Sequence, residues 1–180
     1  MRKLIWLSVV SILAVALMTP AVADKSKMKD VPFKATFSGY LTGFGPVPDG
    51  RCDNPPEGKV AYALASFEGW GNATHAGYSF ISAEHCSYWD LNAGMADGTY
   101  GQGQMTLVAA NGDVLRISYI DGVSLSGPPV VEFMDYFTFE DGGTGRFTFA
   151  SGGGVDIGSV DFSTYIFEMR MEGVIAYKKR

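Results

Sequence analysis

The chain has 180 residues, with 14 Lys and Arg against 19 Asp and Glu, for a net charge of −5. An acidic chain with scattered basic residues carries no electrostatic footprint for nucleic acid or an anionic membrane surface. Its length suits one domain with a sizeable core, and 23 glycines with 13% aromatic residues argue for strands and tight turns.

The first element is a leader. Arg2 and Lys3 precede an apolar run from Leu4 to Met18, and Ala21-Val22-Ala23 forms a small-x-small cleavage site. That is the layout of a secretory signal peptide over residues 1–23. The apolar run is shorter than the ~20 residues of a membrane span, so no stable anchor is expected after cleavage. The mature chain would begin at Asp24 with 12 basic residues against the same 19 acids, a net charge of −7. Residues 24–32, including "KSKMK", read as a flexible tail, and 33–180 as one domain. The expected location is secreted or periplasmic.

From residue 33 the sequence alternates with period two, the mark of a strand with one buried face. "FKATFSGYL" sets Phe33, Ala35, Phe37 and Leu41 on one face. "DVLRISYI" sets Leu115, Ile117 and Tyr119 on one face; "VVEFMDYFTFE" does the same for Val131, Phe133, Phe137 and Phe139; and "TYIFEMRMEGVIAY" for Phe167, Met169 and Met171. Eight strands are predicted: 33–42, 59–68, 74–86, 98–109, 113–121, 130–140, 154–162 and 164–178, the last with a bulge or bend at Gly173. Between them lie turn-forming stretches: the Gly/Pro/Asp/Asn-rich 43–58, "ANGD" at 110–113 (a hairpin signal), "SGPP" at 126–129 and "EDGGTG" at 140–145. Many short-looped strands with one apolar face predict an all-β, antiparallel, closed barrel of about eight strands; a two-sheet sandwich is the alternative.

Two cysteines in an exported chain allow one internal pairing, Cys52–Cys86, worth about 3–4 kcal/mol in the chain-entropy picture; two free thiols are the alternative. The segment "NATHAGYSFISAEHC" gathers both histidines beside Cys86. On one strand His75 and His85 share a face but sit roughly 33 Å apart at strand rise, too far for one metal ion. His85 and Cys86 face opposite sides and form no nucleophile–base pair. No metal or cofactor is expected. "GGTGRF" at 142–147 lacks the Lys-Ser/Thr ending of a phosphate loop and reads as a sharp connection. Asp135 breaks the apolar face between Phe133 and Phe137. A carboxylate there must be paired, kept protonated, or face a ligand. Asp135, Tyr119, Phe133, Phe137, Phe167 and Met169 are therefore the candidate lumen-facing ligand residues, and Trp70 and Trp89 candidates for a barrel rim.

"ATHAG", "TLVAANGDVL", "FTFEDGGTGRF" and "EGVIAY", in that order between Thr74 and Tyr177, together resemble small exported bacterial β-barrel proteins related to the allene oxide cyclase and dirigent barrels. The resemblance implies an eight-stranded antiparallel barrel with an apolar lumen. Plant relatives include cyclases acting on a lipid epoxide and dirigent proteins that steer phenolic coupling; none of their catalytic acids is carried over to a position here. The leading expectation is a non-enzymatic exported barrel that holds a small apolar molecule. The alternatives are a cyclase or isomerase using Asp135, and a structural or interaction protein with a filled lumen. A homo-oligomer is left open.

Overall fold

The computed structural model describes residues 28–178, so the expected signal peptide lies outside the described residues. Eight strands follow in chain order: β1 (Val31–Gly45), β2 (Lys59–Ala73), β3 (Gly77–Asp90), β4 (Met95–Val108), β5 (Val114–Ser124), β6 (Val130–Glu140), β7 (Ser151–Asp161) and β8 (Ile166–Ala176). Each pairs antiparallel with its neighbour in sequence, and β1 also pairs with β8. The sheet is thus a closed barrel rather than a sandwich, which leaves no unpaired edge. β1 begins at Val31, two residues inside the segment expected as tail.

Two predicted spans are corrected. The strand expected over 74–86 starts at Gly77 instead, because β2 runs on to Ala73 and residues 74–76 turn. Thr74 Oγ1 accepts from the Lys34 amide at 2.8 Å, and Ala76 N–H bonds Ala73 O at 3.1 Å. His75 sits in that turn at φ 69°, so it shares no strand face with His85. The long strand expected over 164–178 is a turn followed by β8, which pairs with both neighbours without a register shift. Gly173 makes no bulge. It lets the β7 backbone approach, since a Cβ there would lie 2.1 Å from Gly153 O.

One end of the barrel is solid. Phe33 meets Phe139 edge-to-face at 4.9 Å, and Phe137 meets Phe139 at 5.3 Å. The connection from β6 to β7 is longer than a sharp turn. Its one 3-10 turn, Gly145–Phe147, seats the buried Phe147 against Tyr177 at 5.8 Å. Arg146 holds this plug, donating to His75 O at 3.2 Å and to Asp113 Oδ2 at 3.3 Å.

On the outer wall the 46–58 connection folds back over β2 and β3. The Cys52–Cys86 disulfide fastens it there. Cys86 points away from the lumen yet is fully buried, covered by this loop with Tyr88, Val47 and Leu64.

Candidate functional site

The opposite end of the barrel is open. A cavity of about 490 Å³ enters from the rim formed by the β1–β2, β3–β4, β5–β6 and β7–β8 connections. Its walls are mainly apolar, with Leu41, Phe67, Ile81, Met105, Val131 and Phe167 among them. At the rim Phe44, Tyr62 and Trp89 form an edge-to-face chain with centroids 6.2–6.3 Å apart. Trp70 stands elsewhere, on the outer wall, stacked on Tyr78 at 5.9 Å.

The deep end is polar. Asp135 on β6 and Asp156 on β7 are cross-strand partners, so their Cβ atoms are neighbours on the inner face. They are only 2% and 4% exposed. Tyr100 donates its hydroxyl to Asp135 Oδ2 at 2.8 Å. Asp135 Oδ1 and Asp156 Oδ1 are both buried with no hydrogen-bond partner. Tyr119 Oη lies 3.3 Å from His85 Nδ1, the donor depending on the imidazole tautomer. The His85 ring also stacks on Tyr100 at 4.2 Å.

Local irregularity places these groups. Pairing between β4 and β5 is interrupted between Tyr100↔Gly122 and Gly103↔Tyr119. Gln102 (φ 48°) and Asp121 (φ 54°) take left-handed conformations inside the interruption. It brings Tyr100 inward out of phase with Met105 and Leu107. Each tyrosine then lies across a facing glycine. A Cβ at Gly122 would sit 2.1 Å from the Tyr100 ring, and one at Gly103 2.3 Å from the Tyr119 ring. The opposite side of β4 is held from outside the barrel. Arg51 donates to Gln102 O at 2.6 Å and to Glu84 Oε1 at 2.7 Å, and Glu84 directly precedes His85.

Burial governs the protonation of the floor. It raises the Asp135 carboxyl to about 7, against the opposing pull of the Tyr100 hydrogen bond. It pushes Asp156 well above the usual carboxylate range, helped by the charge of Asp135. Two adjacent buried carboxyls cannot both ionise readily, so the pair retains a proton near neutrality. Burial, and after it the nearby Arg51 guanidinium, holds the His85 imidazole down at about 3. Its residual exposure is toward the cavity it lines. Burial first, then the charge of Asp135, raises both Tyr100 and Tyr119. The floor is therefore a set of neutral donors and acceptors around an acid pair that keeps a proton near neutrality.

Of the six residues expected to face the lumen, Tyr119, Phe133, Asp135, Phe167 and Met169 line this cavity. Phe137 also points inward but is packed into the solid end against Phe33 at 6.1 Å and Phe139. Sequence reasoning missed Asp156, Tyr100 and the inward role of His85. Asp156 was legible, because "GVDIGSV" alternates and puts Asp156 in step with Gly154, Gly158 and Val160. Tyr100 was not, since a strict period of two assigns it to the outer face.

Fold and site together define a closed eight-stranded antiparallel barrel with one solid end and one open, polar-floored cavity. No protein-family model and no curated protein matches the sequence. Among solved structures the chain is similar to a pterocarpan synthase dirigent protein, with a TM-score of 0.51 and 19% identity over 92% of this chain and 98% of that one. At that identity the likeness is one of fold: this is a dirigent-like barrel.

Proposed function

We propose that the barrel holds one small, largely apolar molecule in its lumen, with the polar end of that molecule at the Asp135–Asp156 floor. The observation that carries this reading is the pair of buried, unpartnered carboxylate oxygens on residues lining the deep end of a mainly apolar cavity. Leaving such acceptors unsatisfied costs about 1–3 kcal/mol each, and a ligand donor relieves that cost. The cavity falls within the usual size range of small-molecule sites. Export through the leader at residues 1–23 belongs to the same reading; the Cys52–Cys86 bridge supports it, since disulfides persist in oxidising compartments.

Calorimetry with 1-octanol tests the holding function. One molecule should bind per chain, and Ala96→Trp, which puts an indole in the cavity mouth, should abolish binding. Absence of binding, or binding unchanged by Ala96→Trp, contradicts the proposal.

A second reading is a cyclase or isomerase. It is favoured by a carboxyl titrating near neutrality beside a tyrosine, the arrangement that acid–base chemistry requires. Turnover of unsaturated lipid epoxides, abolished by Asp135→Asn, would support it. Stoichiometric binding without turnover would reject it and leave the holding function in place.

A further inference from the structure

From the charge inventory of the cavity we infer that its ligand is a lipophilic amine, whose ammonium group sits on the Asp135–Asp156 pair with its hydrocarbon part along the apolar walls. The inference rests on the proposed lumen-binding function and adds the chemical class of the head group.

Three observations carry it. First, the two free oxygens at the floor, Asp135 Oδ1 and Asp156 Oδ1, are acceptors from two different strands, and neither has a protein donor. An ammonium presents several donors from one atom, enough for both. Second, among the described residues none of those lining the cavity is Lys or Arg. The nearest cations are engaged elsewhere: Arg51 outside the wall with Glu84, and Lys59 at the mouth with Asp97. A buried acid pair without a counter-ion is costly, and a ligand cation supplies one. Third, aromatic rings border the pair. Tyr100 contacts Asp135 directly, and Phe133 meets Tyr100 edge-to-face at 6.5 Å. Rings beside a carboxylate suit an organic cation through attraction to the π face. A divalent metal suits the floor poorly: among the described residues no group of three His, Cys, Asp or Glu side chains is placed to hold one.

Binding must then be linked to protons. The groups facing the pair are Tyr100, Tyr119 and His85, with Arg51 behind the wall and Asp97 at the mouth. The tyrosines and His85 stay neutral across the neutral range, and Asp97 is ion-paired with Lys59. The acid pair is therefore the group that responds. Seating an ammonium displaces the proton that Asp135 holds below about pH 7 while Asp156 keeps its own, so affinity for the amine rises with pH up to about 7.

The test compares octylammonium, 1-octanol and octanoate by calorimetry on the folded mature chain, from pH 5 to pH 8. Octylammonium should bind one per chain, at least about tenfold tighter than 1-octanol at pH 8, with affinity rising with pH up to about 7 and a proton released over that range. Asp135→Asn and Asp156→Asn should each remove about tenfold or more of that affinity while changing 1-octanol binding less than about threefold. Circular dichroism confirms that each variant is folded, and the wild-type pH profile tests the idea independently of any variant. If 1-octanol binds as tightly as octylammonium at pH 8, the amine inference fails and the lumen reading stands. If octylammonium affinity survives both substitutions or falls with pH, the amine inference also fails. If neither binds, both are overturned.

Discussion

Replacing Gly122 by alanine should dislodge Tyr100 from the cavity floor. The added Cβ would lie 2.1 Å from the Tyr100 ring, whereas ordinary contacts begin near 3.4 Å. The ring must retreat by 3.4 − 2.1 ≈ 1.3 Å, enough to break a hydrogen bond that spans 2.8 Å. Losing a donor to a buried carboxyl costs about 1–3 kcal/mol, and forcing a ring out of a packed wall costs about 1–3 kcal/mol more. The total expected loss is about 2–6 kcal/mol, read as a lower urea midpoint at unchanged m-value. Tyr100→Phe removes only the hydroxyl and should lose about 1–3 kcal/mol. The double variant should lose less than the sum, because both changes break the same bond. A Gly122→Ala variant within about 0.5 kcal/mol of wild type, or strict additivity with Tyr100→Phe, refutes the claim that this glycine seats the tyrosine.

Other consequences follow from the outer wall and the floor. Removing the bridge with Cys52→Ser and Cys86→Ser should destabilise the fold by about 4 kcal/mol, given the 34-residue separation it closes; urea unfolding of the double variant measures it. Stability should also depend on pH through opposing groups. Asp135 and Asp156 are raised in the fold, so their contribution is full below pH 4; that of Asp135 is lost as pH climbs through about 7, and that of Asp156, raised well above the usual carboxylate range, is lost as pH climbs through its own raised value. His85 is depressed, so its contribution is full above pH 6.5 and is lost on acidification toward about 3. The two slopes oppose each other between pH 4 and 6.5. Above pH 6.5 only the carboxyls remain, and stability should fall there with a slope of up to about 1.4 kcal/mol per pH unit for each proton involved. Asp156→Asn should flatten that fall; a slope unchanged in this variant would place its origin elsewhere.

Much of this was legible in the sequence because a barrel strand obeys one simple rule. Alternation in 33–41, 115–119 and 131–139 set the inner face, and the Asn111-Gly112 hairpin fixed one connection. The Cys52–Cys86 pairing followed from a count of two. Asp135 declared itself as a carboxylate in an apolar row. The rule failed where backbone irregularity interrupts it. The interruption at Gln102 and Asp121 reverses the phase of β4, so Tyr100 faces the lumen although its position in the alternation says otherwise. The turn at 74–76 separates two strands whose sequences alternate almost without a break, which is why His75 was expected in line with His85. Nor does sequence alternation identify cross-strand neighbours. That Asp135 stands beside Asp156 depends on the β6–β7 register, and that register follows a connection whose 3-10 turn plugs the barrel.

The central claim is an open lumen with a solid base, and methionine methyl NMR tests it most directly. Met105 and Met169 line the cavity, Met171 is buried outside it, and Met134 lies away from the lumen lining. On titration with 1-octanol the methyl signals of Met105 and Met169 should shift and saturate together at one equivalent, while those of Met171 and Met134 stay in place. Unmoved Met105 and Met169 signals, or equal shifts at all four, would contradict the account.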